Sequence, residues 1–149
     1  MKIYVASSWR NAKQDGVVTT LRDEGHEVYD FKNPTEGNTG FHWSDIDKDW
    51  TLWTPEEYRK ALSHPLAEKG YVMDLTAMTW ADVFVGVMPF GRSASLEMGW
   101  AAGRGKITML LLDDGEPELM VKMLDFVCCS IDEVLANLKS LDVLWEVEE

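Results

Sequence analysis

The sequence contains little cysteine and histidine, few basic residues and no long apolar run. Its two cysteines, Cys128 and Cys129, are adjacent, which suits neither an ordinary disulfide nor a common zinc site. The three histidines are scattered. No apolar run approaches the ~20 residues of a membrane-spanning helix, and the amino terminus lacks the architecture of a signal peptide. We therefore expect a reduced, cytoplasmic protein with no membrane segment, no metal and no other cofactor.

Positive charge is scarce, because 14 basic residues are set against 26 acidic ones and the formal net charge is -12. This balance argues against a nucleic-acid polymer or an anionic membrane surface as partner. A small anion can still be held by a local cluster of donors. Of the 149 residues, 46% are hydrophobic, which is enough for a substantial core. The length predicts a single domain that spans residues 1–149.

Short apolar runs alternate with helix-forming segments along the chain. The predicted strands are residues 2–6, 27–31, 83–88, 107–112 and 126–129. The predicted helices are residues 9–24, 56–62, 65–80, 96–102, 118–124 and 131–138. This alternation predicts an α/β fold, with a three-layer, doubly wound (flavodoxin/Rossmann-like) sheet of about five parallel strands in the order 2-1-3-4-5.

Two stretches depart from the alternation. Residues 32–54, after the second strand, form a tryptophan-rich loop insertion in which aromatic side chains are interleaved with aspartates. A loop of this length inside a compact domain is usually functional or mobile. It is followed by Thr54 and Pro55, which predict a helix start with threonine as cap and proline at the first position. Residues 140–149 are predicted to form an acidic tail.

The stretch 82–106, DVFVGVMPFGRSASLEMGWAAGRGK, is where we place the site. It reads as strand, loop, helix and strand, and a ligand cleft in such a unit lies beyond the carboxyl end of the strand. Glu97 is predicted in the first turn of the helix, where the helix dipole favours an ionised carboxylate, a possible nucleophile. Gly99 and Gly103, one turn apart, are expected to admit the close approach of another backbone. Arg92 adds a cation at a helix N-terminus, a natural anion site.

Polar side chains also follow the first strand. Ser7 and Ser8 are predicted to cap the helix that begins at Trp9, and Arg10 and Asn11 lie in the same turn. Because the carboxyl ends of parallel strands meet at one edge of the sheet, we expect this turn to lie beside the loop that precedes Glu97.

These features resemble the nucleoside 2-deoxyribosyltransferase-like family, which includes base-exchanging transferases and nucleotide N-glycoside hydrolases. The resemblance covers residues 1–30 and roughly residues 71–112. The matching segments are Ile3-Tyr4-Val5-Ala6-Ser7, Asp74 with Asp82, Ser93-Ala94-Ser95-Leu96-Glu97-Met98-Gly99-Trp100-Ala101, and Gly105-Lys106. The Glu-x-Gly-x-Ala core, with the small residues before it, is fairly specific in this context.

The resemblance implies a role for each matching residue. Glu97 corresponds to the nucleophile that attacks C1′ of the sugar and forms a glycosyl-enzyme ester, and Asp74 to the acid that protonates the departing base. Tyr4 corresponds to the tyrosine that holds the nucleophile by a hydrogen bond, and Trp9 falls where the family often has an aromatic residue beside the base. Breaking an N-glycosidic bond develops opposite charges at C1′ and on the base, and one ionised and one protonated carboxyl suit these two ends.

The chain departs from the family pattern at Gly91. The transferases carry an aspartate at this position, six residues before the nucleophile, which holds a sugar hydroxyl, so this departure argues against ordinary deoxynucleoside binding. The nucleotide hydrolases carry a small hydroxyl residue there, beside a phosphate. Here Arg92, Ser93 and the helix amides can take a 5′-phosphate, with Arg10 assisting. The candidate substrate-binding residues are Ser7, Trp9, Arg10, Gly91, Arg92, Ser93 and Ser95.

The sequence thus predicts an enzyme that cleaves or transfers at the N-glycosidic bond of a nucleoside or nucleoside 5′-monophosphate, through a glycosyl-Glu intermediate. Hydrolysis and transfer stay equally open, because either water or a second base can reach the ester. The alternative is a catalytically silent nucleotide-sensing domain, which Gly91 favours and the pair of Glu97 and Asp74 opposes. A flavodoxin-type redox protein fits less well, since the first turn is not a hydroxyl-rich phosphate loop.

The resemblance also implies a homo-oligomer, because family members complete their sites with a residue from a neighbouring subunit. The family pattern does not explain the tryptophan-rich segment 41–53. Its aromatic rings can close over the site and stack on a base, or they can form a subunit contact, and the sequence leaves both roles open.

Overall fold

The computed structural model of the protein describes residues 1–148, and the side chains of residues 1–147. The chain divides into two compact units. The sheet unit comprises Met1–Asp30 and Trp80–Glu149, and the insertion unit comprises Phe31–Thr79. Glu149, the last residue of the predicted acidic tail, lies outside the described residues. That residues 1–149 form a single domain stays a prediction.

The sheet unit is built on a five-stranded, all-parallel sheet, which confirms the predicted fold class. The strands are β1 (Lys2–Ala6), β2 (Glu27–Asp30), β3 (Val83–Val87), β4 (Ile107–Leu111) and β5 (Phe126–Cys128). Their order is β2-β1-β3-β4-β5, the predicted 2-1-3-4-5 arrangement. Because every pairing is parallel, the carboxyl ends of all five strands lie at one edge of the sheet.

Five α-helices occur within residues 1–148. They are α1 (Gln14–Asp23), α2 (Pro55–Ala61), α3 (Pro65–Trp80), α4 (Arg92–Gly103) and α5 (Ile131–Glu148). In the sheet unit, α1 packs on β2, α5 packs on β4 and β5, and α4 packs on β1, β3 and β4. Among the described residues, no helix is both long enough and apolar enough to cross a membrane.

An aliphatic core fills the face of the sheet that α1 and α5 cover. The buried strand residues of this core are Ile3, Val5, Val83, Val85, Val87, Met109, Leu111 and Cys128. The helices contribute Val17, Val18, Leu21, Val134 and Leu138. The central strands are buried on their other face too, which explains why their sequences are continuous apolar runs rather than alternating ones.

The opposite face of the sheet carries a row of aromatic rings in register. Tyr4 in β1 is level with Tyr29 in β2 and Phe84 in β3. The Tyr4 ring stacks on both, with centroid separations of 5.4 Å to Tyr29 and 5.0 Å to Phe84. The ring of Trp100 in α4 lies 6.0 Å from that of Phe84. α4 therefore covers the aromatic face.

Gly86, in the middle of β3, allows α4 and the loop after β3 to lie close to the sheet. A Cβ at this position would be 3.1 Å from Leu110 Cδ1 and from Phe90 Cε1, and 3.2 Å from Met98 Sδ. These separations are shorter than ordinary van der Waals contact, so any other residue would displace its neighbours. Gly99 and Gly103 have open space beside them. Within residues 1–148, no other part of this chain makes the close approach that was predicted at these two glycines.

The starts of α1 and α4 differ from the prediction. α1 begins at Gln14 rather than Trp9, and its N-cap is Lys13 with no side-chain cap, so the predicted serine caps are wrong. α4 begins at Arg92, four residues earlier than predicted, and has no acidic residue in its first turn. Glu97 therefore lies in the second turn, and the prediction that it lies in the first turn is wrong.

Two further segments differ in the carboxyl-terminal part of the chain. The predicted α-helix at residues 118–124 is a 3-10 helix, Leu119–Met123. α5 continues to Glu148, ten residues beyond the predicted end and through most of the acidic tail. Leu141 packs against the aliphatic core one turn after Leu138, so the helical apolar spacing extends into the tail.

Candidate active site

Two loops meet at the carboxyl edge of the sheet, the turn after β1 and the loop after β3. Ser7 Oγ donates a hydrogen bond of 2.8 Å to the carbonyl oxygen of Val87. Asn11 Nδ2 lies 2.9 Å from Ser7 Oγ, 2.9 Å from the Val87 carbonyl oxygen and 3.2 Å from that of Pro89. The structure thus brings together the two loops that sequence reasoning placed side by side.

Asn11 was not among the candidate site residues, although it is the centre of this network. It is only 4% exposed. Its backbone N–H donates to the Ser8 carbonyl oxygen at 3.0 Å, and its Oδ1 accepts from the backbone N–H of Lys13 at 2.9 Å. The resulting turn delays the start of α1 to Gln14. The available signal was the residue type, since asparagine side chains often bond to the backbone two residues further on.

Glu97 lies half-buried on α4. Ala94 and Ala101, about one turn before and after it, are buried, so both neighbours along this side of the helix are small. α4 packs on β1, which carries Tyr4, as well as on β3 and β4. The influence of the helix dipole falls off within the first turn, so it does not provide the predicted preference for the ionised Glu97 carboxylate.

Tyr4 is fully buried in β1. Its ring lies between those of Tyr29 and Phe84, and this stacking fixes its orientation. Because α4 covers the aromatic face, Tyr4 and the helix that bears Glu97 lie on the same side of the sheet.

There is open space beside Gly91, the residue that precedes α4. This N-cap residue makes no side-chain cap, and a Cβ built on it would meet nothing within 4 Å. Arg92 and Ser93 are exposed, as is Arg10 in the neighbouring turn. The Ser95 hydroxyl instead donates to the Gly91 carbonyl oxygen at 3.0 Å. Arg10, Arg92 and Ser93 are therefore exposed donors on the two segments that meet here.

The remaining candidates near these loops differ in exposure. The Ser7 hydroxyl bonds to the Val87 carbonyl oxygen, whereas Trp9 is 43% exposed.

Asp82 lies at the opposite edge of the sheet, at the amino end of β3. Its backbone N–H donates to the Lys2 carbonyl oxygen at 2.9 Å, and its own carbonyl oxygen accepts from the N–H of Ile107 at 3.2 Å. Among the described residues, no group of three or more His, Cys, Asp or Glu side chains is placed to hold a metal ion.

Asp74 lies half-buried on α3, in the insertion unit. The loop insertion of residues 32–54 packs on the face of α3 that bears Asp74. Asn38 Nδ2 is 3.6 Å from Met73 Sδ. Phe41 packs against Gly70, which precedes Asp74 by about one helical turn, so closely that a Cβ at position 70 would lie 2.9 Å from Phe41 Cβ. The surroundings of Asp74 are thus set partly by this segment.

The tryptophan-rich segment has its own aromatic cluster. The Trp43 ring makes edge-to-face contacts with Phe41, Trp53 and Tyr58, at centroid separations of 4.7, 5.6 and 5.7 Å. Thr54 caps α2 by accepting a hydrogen bond from the backbone N–H of Glu57 at 3.2 Å, as predicted. The insertion is therefore held by ring packing and a capped helix.

Asp47 secures one end of this cluster. Its Oδ1 accepts from the backbone N–H of Asp49 at 2.9 Å, and its Oδ2 accepts from the indole Nε1 of Trp53 at 2.8 Å. The backbone hydrogen bond, followed by the indole hydrogen bond, lowers the pKa of the Asp47 carboxyl. Both bonds therefore favour the ionised carboxylate.

No protein-family model and no curated protein matches the sequence. Among solved structures, the chain is similar to the 2-deoxyribosyltransferase of the psychrotolerant bacterium Bacillus psychrosaccharolyticus, with a TM-score of 0.61 and 22% identity over 90% of each chain. It is also similar to the CMP N-glycosidase BcmB of Clostridium botulinum, with a TM-score of 0.50 and 18% identity over 95% of this chain and 99% of that chain. At these identities the likeness establishes a shared fold, in agreement with the resemblance carried by the sequence motifs.

Proposed function

We propose that the protein is an enzyme that cleaves or transfers at the N-glycosidic bond of a nucleoside or nucleoside 5′-monophosphate. The observation that carries this proposal is the position of Glu97. It is half-buried between two small residues on α4, the helix that covers the aromatic face containing Tyr4. The named activities of the two similar structures, deoxyribosyl transfer and CMP N-glycoside cleavage, support the same reaction class.

In this reaction the Glu97 carboxylate attacks C1′ of the sugar as the bond to the base breaks. Asp74 supplies the proton that the departing base takes up. The product of this step is a free base and a glycosyl ester on Glu97. Water or a second base then attacks C1′ and gives its proton to Asp74, the ester bond to Glu97 breaks, and the sugar leaves with its original stereochemistry. Tyr4 would hold the attacking carboxylate in place.

A 5′-phosphate would bind at the start of α4. The open space at Gly91 and the exposed side chains of Arg92 and Arg10 support this placement. Backbone N–H groups at a helix N-terminus are natural donors to a phosphate. The absence of an aspartate at position 91 favours a nucleotide over a plain deoxynucleoside. It is also the observation that favours the second candidate function, a nucleotide sensor without turnover.

The activity test is an incubation with a panel of nucleosides and nucleoside monophosphates, with and without an acceptor base, followed by chromatography. Free base in the absence of acceptor identifies a hydrolase. A new nucleoside or nucleotide that forms only with acceptor identifies a transferase. Saturable binding without any product would contradict the enzymatic proposal and favour the sensor.

Glu97→Ala tests the nucleophile. We expect turnover to fall by roughly 10⁴- to 10⁶-fold, as it does when other catalytic nucleophiles are removed, while ligand binding persists. Glu24→Ala, at an exposed position after α1, is the matched control and should keep wild-type turnover. Mass spectrometry of quenched wild-type enzyme should find the sugar attached to the peptide that contains Glu97. Retained turnover in Glu97→Ala would remove this residue from the mechanism.

A further inference from the structure

The side-chain amide of Asn11 holds the loop between β3 and α4. The Val87 carbonyl oxygen accepts from both Ser7 Oγ and Asn11 Nδ2, so both of its lone pairs are used. The same amide reaches the carbonyl oxygen of Pro89 at 3.2 Å. These contacts lie on either side of Met88, whose backbone N–H donates to the Leu111 carbonyl oxygen in β4 at 3.0 Å. The loop is therefore held from the turn after β1 on one side and from β4 on the other.

Asn11 is itself immobilised by its own turn. Its Oδ1 accepts from the Lys13 N–H, and its backbone N–H donates to the Ser8 carbonyl oxygen. At 4% exposure, water has little access to compete for its hydrogen bonds, and loss of the donor would leave buried carbonyl oxygens without that partner. Because the Asn11 side chain is hydrogen-bonded both to its own turn and to the loop after β3, it fixes the position of that loop relative to the turn.

The position of α4 depends on this loop. One residue separates Pro89 from the N-cap, Gly91, and the helix begins at the next residue. The helix is a stiff element that rises 1.5 Å per residue, so a shift at its start moves the Glu97 side chain with it. Ala94 and Met98 are buried on the same helix, and Met98 packs beside Gly86, so close packing supports the body of α4 while the hydrogen-bonded loop precedes its start.

We propose that Asn11 is a positioning residue, which sets α4 so that the Glu97 carboxylate stands at attacking distance from C1′. This inference rests on the proposed function. It assigns Asn11 no contact with substrate. Because a misplacement of about 1 Å can cost about 10²-fold in rate, loss of the amide should lower kcat by roughly 10- to 100-fold. For a substrate without a 5′-phosphate, KM should change much less than kcat, since the proposed phosphate-binding groups at the start of α4, which would shift with the loop, take no part in its binding.

The test compares Asn11→Asp with wild type at pH 7.5. Aspartate has the same shape and keeps the acceptor for the Lys13 N–H, but it replaces the donor with an oxygen that faces the carbonyls of Val87 and Pro89. Protonation would restore one donor, so the kcat of this variant relative to wild type should recover as the pH falls towards 5. Asn11→Ser cannot span both carbonyls and should show no such recovery. If Asn11→Asp does not fold, the kcat of Asn11→Ser is compared with that of wild type instead.

Asn137→Asp is the matched control. This asparagine is half-buried on α5 and its Nδ2 donates to Cys128 Sγ at 3.5 Å in β5, two strands from β3. It should keep wild-type kcat and KM. Hydrogen exchange gives a readout that needs no turnover, and the amides of Met88, Phe90 and Gly91 should exchange faster in Asn11→Asp than in wild type or Asn137→Asp.

Faster exchange together with a selective loss of kcat would support the inference. Wild-type kcat in Asn11→Asp, or a rise in KM with kcat unchanged, would overturn it while leaving the proposed function intact. Unchanged exchange at residues 88–91 would also overturn it. If wild type itself turns over nothing in the substrate panel, the proposed function fails and this inference fails with it.

Discussion

Replacing Gly70 with alanine tests whether Phe41 is fixed against α3. In a helix interior, alanine is favoured over glycine by about 1 kcal/mol, so an unopposed substitution is stabilising. At Gly70 the added Cβ would lie 2.9 Å from Phe41 Cβ and 3.2 Å from its Cγ, whereas non-bonded carbon atoms normally rest about 3.5–4.0 Å apart. Phe41 Cβ is bonded directly to the backbone, so it cannot swing aside and the segment itself must move.

The magnitude follows from a comparison with Gly16, the third residue of α1, which has nothing within 4 Å of its Cβ position. Gly16→Ala should raise the free energy of unfolding by about 0.5–1 kcal/mol. Overpacking typically costs about 1–3 kcal/mol. Because the gain in helix propensity is common to both substitutions, Gly70→Ala should be less stable than Gly16→Ala by about 1–3 kcal/mol, the overpacking cost alone.

The assay is urea unfolding at 25 °C, followed by both circular dichroism and tryptophan fluorescence. Coincident transitions by the two probes are required before the free energies of the variants are compared. Gly70→Ala should also change the fluorescence of the folded protein, because Phe41 contacts the Trp43 ring. If Gly70→Ala proves as stable as Gly16→Ala, Phe41 does not lie against Gly70 and our description of the surroundings of Asp74 is wrong.

Two further predictions concern titratable groups. Because hydrogen bonds lower the pKa of Asp47, its contribution to stability is complete above the unfolded pKa of about 3.9 and disappears as the pH falls through the lower folded pKa. The stability difference between wild type and Asp47→Ala, measured by denaturant unfolding, should therefore be constant from pH 8 to 5 and shrink below about pH 4. Cys129 is exposed, whereas burial raises the pKa of the Cys128 thiol, so limited alkylation at pH 8 followed by peptide mapping should label Cys129 first.

Each of these predictions has a clear contrary result. A difference for Asp47→Ala that stays constant down to pH 3 would contradict the role of its ionised form. Equal labelling of Cys128 and Cys129 in the folded protein would contradict the buried position of the first thiol.

The sheet was predictable because its central strands are buried on both faces. Segments such as Val83–Val87 and Ile107–Leu111 appear in the sequence as unbroken apolar runs, and the structure places each within one residue of the prediction. The start of α2 was predictable for a local reason, since Thr54 and Pro55 are neighbours in sequence of the groups that they cap. Features decided by adjacent residues were thus visible without a structure.

The starts of α1 and α4 were not predictable in this way. Asn11 finds its partners Val87 and Pro89 at separations of 76 and 78 residues, and no local pattern reveals such bonds. α4 begins after Gly91, whose lack of a capping side chain gave no signal. The motif around Glu97 located the candidate carboxylate correctly on a helix after the central strand, but its place in the second turn follows from the start of α4 at Arg92, which the sequence did not indicate.

Because Gly86 has no side chain, the residue at this strand position and the residues that pack on it from α4 and β4 constrain one another in size. Met98 Sδ and Leu110 Cδ1 occupy the room that a methyl group would need. A side chain at position 86 alone would displace the ends of Met98 and Leu110 or the helix above them. We therefore expect related chains with a larger residue at position 86 to carry smaller ones at positions 98 and 110, so that the three sites vary as one steric unit.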